Sequence, residues 1–194
     1  MKETTSITGI ILAGGKSSRM GQDKGFLKLK GKTFLSYIIE ALKPIVDDII
    51  IVSNNSDYDF FKLKRVKDTI ENSGPLAGLY SGLLHSETEN NIVLSCDVPL
   101  INTSVLKKLI EGVSPETDVI QFESEGKTIP LVAMYKRHCS QPILKLLQTN
   151  ERRLRFAIEQ LEVKTIKLEP ELEKTVRNIN TIKELKELKH EFEN

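Results

Sequence analysis

Short runs of β-branched and other apolar residues alternate with amphipathic segments of helical period along this 194-residue chain. That alternation confines it to an α/β fold built on a mainly parallel sheet. Residues 7–13, 48–53 and 91–96 read as buried strands, the second containing the β-branched run Ile49-Ile50-Ile51-Val52. Residues 65–68 read as a shorter one. Between them, residues 33–42 place Phe34, Leu35, Ile38, Ile39 and Leu42 on one helical face and stop before Pro44. A helix over 75–86 has Pro75 in its first turn, and another covers 103–111. Residues 119–122 and 129–135 predict a hairpin around 123–127, an antiparallel element in the second half. Helices at 137–148 and 152–161 follow, then strands at 163–168 and 175–179. A last helix opens at Thr181 with Glu184 at capping-box spacing and carries an apolar stripe of Leu185, Leu188 and Phe192. The expected architecture is a Rossmann-like, mainly parallel sheet flanked by helices, in one domain over 1–194.

Charge and composition narrow the partners. The 28 Lys and Arg residues against 27 Asp and Glu give a net charge of +1, which makes no electrostatic case for nucleic acid or a membrane surface. No apolar run approaches the roughly 20 residues that span a bilayer. The first six residues lack the apolar core of a signal peptide. Cys96 and Cys139 have no paired-motif spacing, so reduced thiols and a cytoplasmic location are expected. His85, His138 and His190 lie far apart without ligand-like spacing, which argues against zinc.

The first strand ends in a loop, Leu12-Ala13-Gly14-Gly15-Lys16-Ser17-Ser18-Arg19-Met20-Gly21-Gln22-Asp23-Lys24, that turns abruptly from apolar to glycine-rich and cationic. Gly14 and Gly15 let backbone amides approach a ligand, and Lys16, Arg19 and Lys24 add positive charge, a combination suited to a polyphosphate. The spacing excludes two better-known loops. Gly9 precedes Gly15-Lys16-Ser17 by one residue too many for a Walker A motif, and Gly14, Gly15 and Gly21 do not form G-x-G-x-x-G.

Ligands of open α/β sheets bind at the carboxyl ends of strands, so the polar residues there carry most weight. Asp97 follows the run Ile92-Val93-Leu94-Ser95-Cys96 and precedes the chain-breaking Val98-Pro99. A carboxylate delivered beside a phosphate loop can hold Mg²⁺ against triphosphate oxygens; the plainer alternative is a turn-capping Asp. Asp68, Asn54 and Asn55 read equally well as ligands or as turn residues. The small residues of Asn72-Ser73-Gly74-Pro75-Leu76-Ala77-Gly78 allow a base or ribose to approach the backbone, although a plain helix start explains them too. Arg152, Arg153 and Arg155 read locally as exposed helix charges.

The loop matches L-A-G-G-x-x-x-R-M-G-x-D-K without a gap and resembles that of nucleotidyltransferases. With Gly74-Pro75-Leu76-Ala77-Gly78, Cys96-Asp97-Val98-Pro99, Asn150-Glu151-Arg152-Arg153-Leu154-Arg155 and Asn178-Ile179-Asn180-Thr181, the chain resembles the molybdenum cofactor guanylyltransferases from about residue 7 to 188. The resemblance implies transfer of GMP from GTP to the phosphate of molybdopterin, with release of pyrophosphate and with Mg²⁺ as cofactor. It implies that Leu12, Ala13 and Gly14, continuing into Gly15, contact the nucleoside side of GTP. Arg19 and Lys24 would bind the triphosphate, Asp68 the nucleoside, and Asp97 the metal. Asn180 would lie near the reacting phosphates, and Arg152 and Arg153 would face the acceptor. Asn54 is the preferred register for the asparagine after the second strand. Nucleotide binding would fall to about 7–100 and acceptor binding to about 101–188, with transient contacts to proteins that deliver or accept the cofactor. The alternatives are a cytidylyltransferase or another transferase of the same fold, and a catalytically silent nucleotide-binding regulator. An interaction protein built on the charged segment 183–193 would explain none of the first hundred residues.

Overall fold

The structure is a computed structural model that describes residues 6–14, 23–70 and 73–191. Strand β1 (Ile7–Leu12) is followed among the described residues by a small antiparallel hairpin, β2 (Lys28–Leu29) and β3 (Lys32–Thr33). Helix α1 (Phe34–Leu42), β4 (Asp48–Val52), β5 (Lys64–Val66), α2 (Gly74–His85) and β6 (Asn90–Ser95) complete the first half. The second half runs through α3 (Thr103–Glu111), β7 (Val119–Ser124), β8 (Lys127–Lys136), α4 (Ser140–Gln148) and α5 (Leu154–Ile158). It ends with β9 (Val163–Lys167), α6 (Pro170–Glu173) and α7 (Ile182–Glu191).

The main sheet has the order β5-β4-β1-β6-β8-β7-β9. All neighbours are parallel except β8, which runs against both β6 and β7. The expected hairpin causes this reversal. Its turn is two residues, Glu125 and Gly126, both at positive φ (50° and 71°), which matches the twist of the flanking strands and needs glycine at the second position. Because β8 is reversed, its amino-terminal residues reach the same edge of the sheet as the carboxyl ends of β1, β4 and β6.

Alternation along the buried strands feeds two cores. Ile11, Ile51 and Leu94 pack with α1 and α3 on one face, while Ile10, Ile50 and Val93 pack with α2, α4 and α5 on the other. Two helix starts carry side-chain caps at threonine, the second of them the expected capping box. Thr33 accepts from the Ser36 amide, and Thr181 and Glu184 exchange side-chain-to-amide bonds as a capping box. Helix α7 uses its stripe to cover the small hairpin, joining Leu185 and Leu188 to Leu27, Leu29, Phe34 and Ile179; Phe192 lies outside the described residues.

One expected strand is absent. Residues 175–179 do not join the sheet: α6 and a 3-10 turn (Lys174–Val176) come first, followed by unpaired extended chain. The apolar residues that suggested a strand serve two separate cores, Val176 in the core beneath α1 and α3 and Ile179 in that beneath α7. The hairpin β2–β3 and a 3-10 helix (Ser56–Phe61) were not expected from the lysine-rich sequence of the first and the mixed acidic and aromatic sequence of the second.

At the amino-terminal edge of the sheet, His138 joins three strands. Its Nδ1 lies 3.1 Å from Glu89 and its Nε2 2.7 Å from Asp118, residues that immediately precede β6 and β7. Burial opposes the charged ring, but the bonds to Asp118 and Glu89 outweigh it and hold the His138 pKa above its ordinary value. The protonated ring is therefore favoured in the folded state, and its contribution is complete below about pH 6.5, the usual histidine value. It disappears as pH rises through the raised folded value. Thermal melts of His138→Gln against the parent should accordingly differ most near pH 6 and converge in mildly alkaline buffer.

Candidate active site

The carboxyl edge of the sheet is extended by one residue beyond several strands. Ala13 N donates to Val52 O (2.9 Å), Cys96 N to Leu12 O (3.1 Å) and Ser53 N to Val66 O (2.9 Å). Asp97 emerges directly from this edge and is 6% exposed. Lys24 Nζ donates to Asp97 Oδ2 at 2.9 Å and to Asn180 Oδ1 at 2.5 Å. Asn178 Nδ2 donates to the other carboxylate oxygen at 3.1 Å, and Ile179 N to the Asp97 carbonyl at 2.8 Å. Asn178 and Asn180 flank Ile179 on extended chain, so both side chains reach the same side. Lys24, Asp97, Asn178 and Asn180, contributed by segments up to 156 residues apart, therefore form one polar cluster.

A cleft of about 600 Å³ lies along the same carboxyl edge of the sheet and is lined there by Ser95, two residues before Asp97. Leu12, Ala13 and Gly14 form one wall and Asn54, Asp68 and Gly78 contribute to the others. Asn54 Oδ1 accepts the Asp68 amide at 3.0 Å. Asn55 is used differently. Its side chain caps the 3-10 helix at Asp57 N (2.9 Å), and it does not line the cleft. Asp68 Oδ1 is buried with no hydrogen-bond partner, and burial pushes the carboxyl pKa up. An orphaned acceptor in a cleft wall fits a ligand that brings N–H donors.

A larger cleft of about 950 Å³ shares Leu131 with the first. Its floor is apolar, with Ile129, Pro130 and Phe156, and Asn178 and Asn180 line the end nearest Lys24. Lys127, Arg153 and Arg155 stand at its rim. Arg153 lies 5.0 Å above the Phe156 ring and forms a two-armed pair with Glu151, at 3.0 Å from Nε to Oε1 and 2.5 Å from Nη2 to Oε2. The Arg153 guanidinium, with the amides of residues 153 and 152, lowers the Glu151 pKa to about 2. Arg152 is turned elsewhere: its Nη2 donates to Asn150 Oδ1 at 2.9 Å, and it does not line the cleft.

Of the residues singled out in the sequence, Leu12, Ala13, Gly14, Asn54 and Asp68 share the smaller cleft, and Arg153 and Asn180 the larger. Gly15, Lys16 and Arg19 lie outside the described residues. Asn178, Phe156 and Lys127 were not singled out as site residues. The signal for Asn178 was present, since a residue two before Asn180 on extended chain faces the same way. Spacing also did not reveal that Asp118, His138 and Cys139 have ligand atoms within 4.8 Å of one another. That trio sits at the opposite edge of the sheet, near the start of β7 and the end of β8. Both cysteines are free and buried, and no helix among the described residues is long and apolar enough to cross a membrane.

The oxygens gathered here, a carboxylate of Asp97 and the side-chain carbonyl of Asn180, are of the kind a hard divalent cation takes, with no sulfur or imidazole in the cluster. Both are bonded to the Lys24 ammonium, which such a cation would replace on them.

Residues 9–165 match the family of MobA-like NTP transferase domains. The chain is 35% identical over 183 residues to a Flavobacterium johnsoniae protein named "Probable molybdenum cofactor guanylyltransferase", covering 94% of this chain and 96% of that one. It is 32% identical over 188 residues to the molybdenum cofactor guanylyltransferase of Desulfosudis oleivorans, covering 93% of each. Its fold superposes with a TM-score of 0.82 on molybdopterin-guanine dinucleotide biosynthesis protein A from Archaeoglobus fulgidus, at 22% identity, with 96% and 98% of the two chains covered. The chain thus belongs to the MobA-like NTP transferases, a nucleotidyltransferase family, and it matches along nearly its whole length curated relatives named as molybdenum cofactor guanylyltransferases.

Proposed function

We propose that this protein transfers GMP from GTP to the phosphate of molybdopterin, releasing pyrophosphate. The observation that carries the reading is a pair of clefts that adjoin at Leu131 along the carboxyl edge of the sheet, the larger reaching the cluster of Lys24, Asp97, Asn178 and Asn180 through its two asparagines. One substrate can occupy each cleft with its phosphate end directed toward that cluster. The nucleoside belongs in the smaller cleft, formed mainly by the first half of the chain. The Asp68 oxygen that lacks a partner suits guanine, whose edge offers two adjacent N–H donors to a carboxylate. The acceptor belongs in the larger cleft, formed by the second half. Its apolar floor and the Phe156 ring suit a flat heterocycle, and its cationic rim suits the phosphate.

The reaction is attack by an acceptor phosphate oxygen on the α-phosphorus of GTP. Both reactants are anions, so the main difficulty is to bring them together in line. Lys24 places its ammonium where charge collects on the triphosphate, and Arg19 and the amides of Gly14 and Gly15 assist it. Once Lys24 turns from them to the triphosphate, Asp97 and the Asn180 carbonyl would hold Mg²⁺, which would neutralise triphosphate charge and steady the leaving group. Asn178 keeps one Asp97 oxygen fixed, so the carboxylate presents a constant direction to the phosphates. A phosphate nucleophile is already ionised near neutral pH, so the reaction needs no general base.

Incubation with molybdopterin, Mg²⁺ and each of the four NTPs in turn tests the proposal. GTP should yield pyrophosphate and a dinucleotide product at a rate well above the other three. Preferential use of CTP would establish a cytidylyltransferase, and GTP binding without turnover would establish a silent regulator.

A further inference from the structure

Tyr58 is completely buried behind the turn that carries Lys24. It sits on the 3-10 helix (Ser56–Phe61) that follows Asn54 and Asn55, and its hydroxyl donates to Asp23 Oδ1. The same oxygen accepts the Gly25 amide at 3.1 Å, closing the 3-10 turn Lys24–Phe26. Asn55 Nδ2 approaches the other Asp23 oxygen at 3.5 Å. Phe26 packs against the Tyr58 ring with centroids 4.7 Å apart. A Cβ on Gly25 would lie 2.3 Å from the Tyr58 hydroxyl oxygen, so only glycine admits the phenol here. Burial, followed by nearby negative charge and the Asp23 bond, pushes the phenol pKa upward and keeps its proton available for donation.

Lys24 has a long, flexible side chain, so its ammonium can be placed reproducibly only if its backbone is fixed. Asp23 is the adjacent residue, and it is held by Tyr58 and by Gly25. The 3-10 helix that holds it continues directly from Asn54 in the wall of the smaller cleft. We propose that Tyr58 is a positioning residue that, through Asp23, sets the turn delivering Lys24 to Asp97 and Asn180. The proposal rests on the reading of Lys24 as the cation that meets the triphosphate. It adds a mechanical link between the nucleoside wall and the phosphate end of the same site.

Tyr58→Phe in the full chain is the test, because the ring and its aromatic neighbours remain while the donor is lost. Two measurements decide it. In nucleotide-free protein, mass-spectrometric labelling with an amine-reactive acetylating agent should rise several-fold at Lys24 relative to the other lysines. In steady-state pyrophosphate release with GTP and molybdopterin, kcat should fall about tenfold or more, the scale set by a hydrogen bond to a charged group, with KM for GTP within about threefold. The same substitution in a Lys24→Ala background should change the remaining rate by less than about twofold, since both residues act through one ammonium. Unchanged labelling at Lys24 overturns the proposal whether or not the parent protein turns over. So does an unchanged kcat in an active enzyme, or an equal loss in the Lys24→Ala background. Raised labelling in a protein that releases no pyrophosphate from any NTP supports the positioning role and overturns the transferase reading alone.

Discussion

Asp97→Asn should lower pyrophosphate release from GTP and molybdopterin by about three orders of magnitude, with the fold retained. Asparagine has the same size and can still accept one hydrogen bond, so the contacts to Lys24 and Asn178 are weakened rather than replaced by a hole. What is lost is the negative charge of the cluster that Asp97 forms with Lys24, Asn178 and Asn180. The carboxylate is the acidic side chain among the four residues that meet there, and among the described residues no other carboxylate is bonded to Lys24. Parallel thermal melts and GTP-binding titrations would show whether the loss is chemical. Turnover within about tenfold of the parent would remove Asp97 from its assigned place.

Lys24→Ala should lower both turnover and stability, and the two losses should part company in a double variant. Removing the ammonium leaves a nearly buried carboxylate without its cation, which should cost about 2 kcal/mol, discounted from a fully buried pair because the Lys24 side chain is 21% exposed. Urea denaturation of Lys24→Ala, Asp97→Ala and the double variant should show strong coupling, with the double variant recovering much of the lost stability. Activity should not recover, since neither charge is available to the phosphates. Strictly additive stability losses would mean that the pair contributes little and that the cluster is held by Asn178 and the backbone.

The parts of the fold legible in the sequence were those where one physical pattern dominates. The run Ile49-Ile50-Ile51-Val52 is apolar on both faces and can only be a buried strand between helices. The Glu125-Gly126 turn between two apolar runs dictated the reversed strand β8. Asp97 was legible because a carboxylate after a buried run must emerge at the sheet edge. The segment around Val176 and Ile179 misled because alternating apolar residues describe a strand and an extended tie between two cores equally well. Arg152 and Arg153 look alike in sequence, yet Asn150 draws one guanidinium away while Glu151 and Phe156 hold the other over the cleft. Tyr58 gave no local sign of its role, because its partner Asp23 lies 35 residues earlier.

On the proposed reading of the larger cleft as the acceptor's, the pair between Arg153 and Glu151 would make capture an exchange rather than a simple addition. An anion bound by both arms of that guanidinium would have to displace a carboxylate already seated on them. Its binding strength would then be the difference between two similar contacts, with the displaced Glu151 tethered nearby and ready to return.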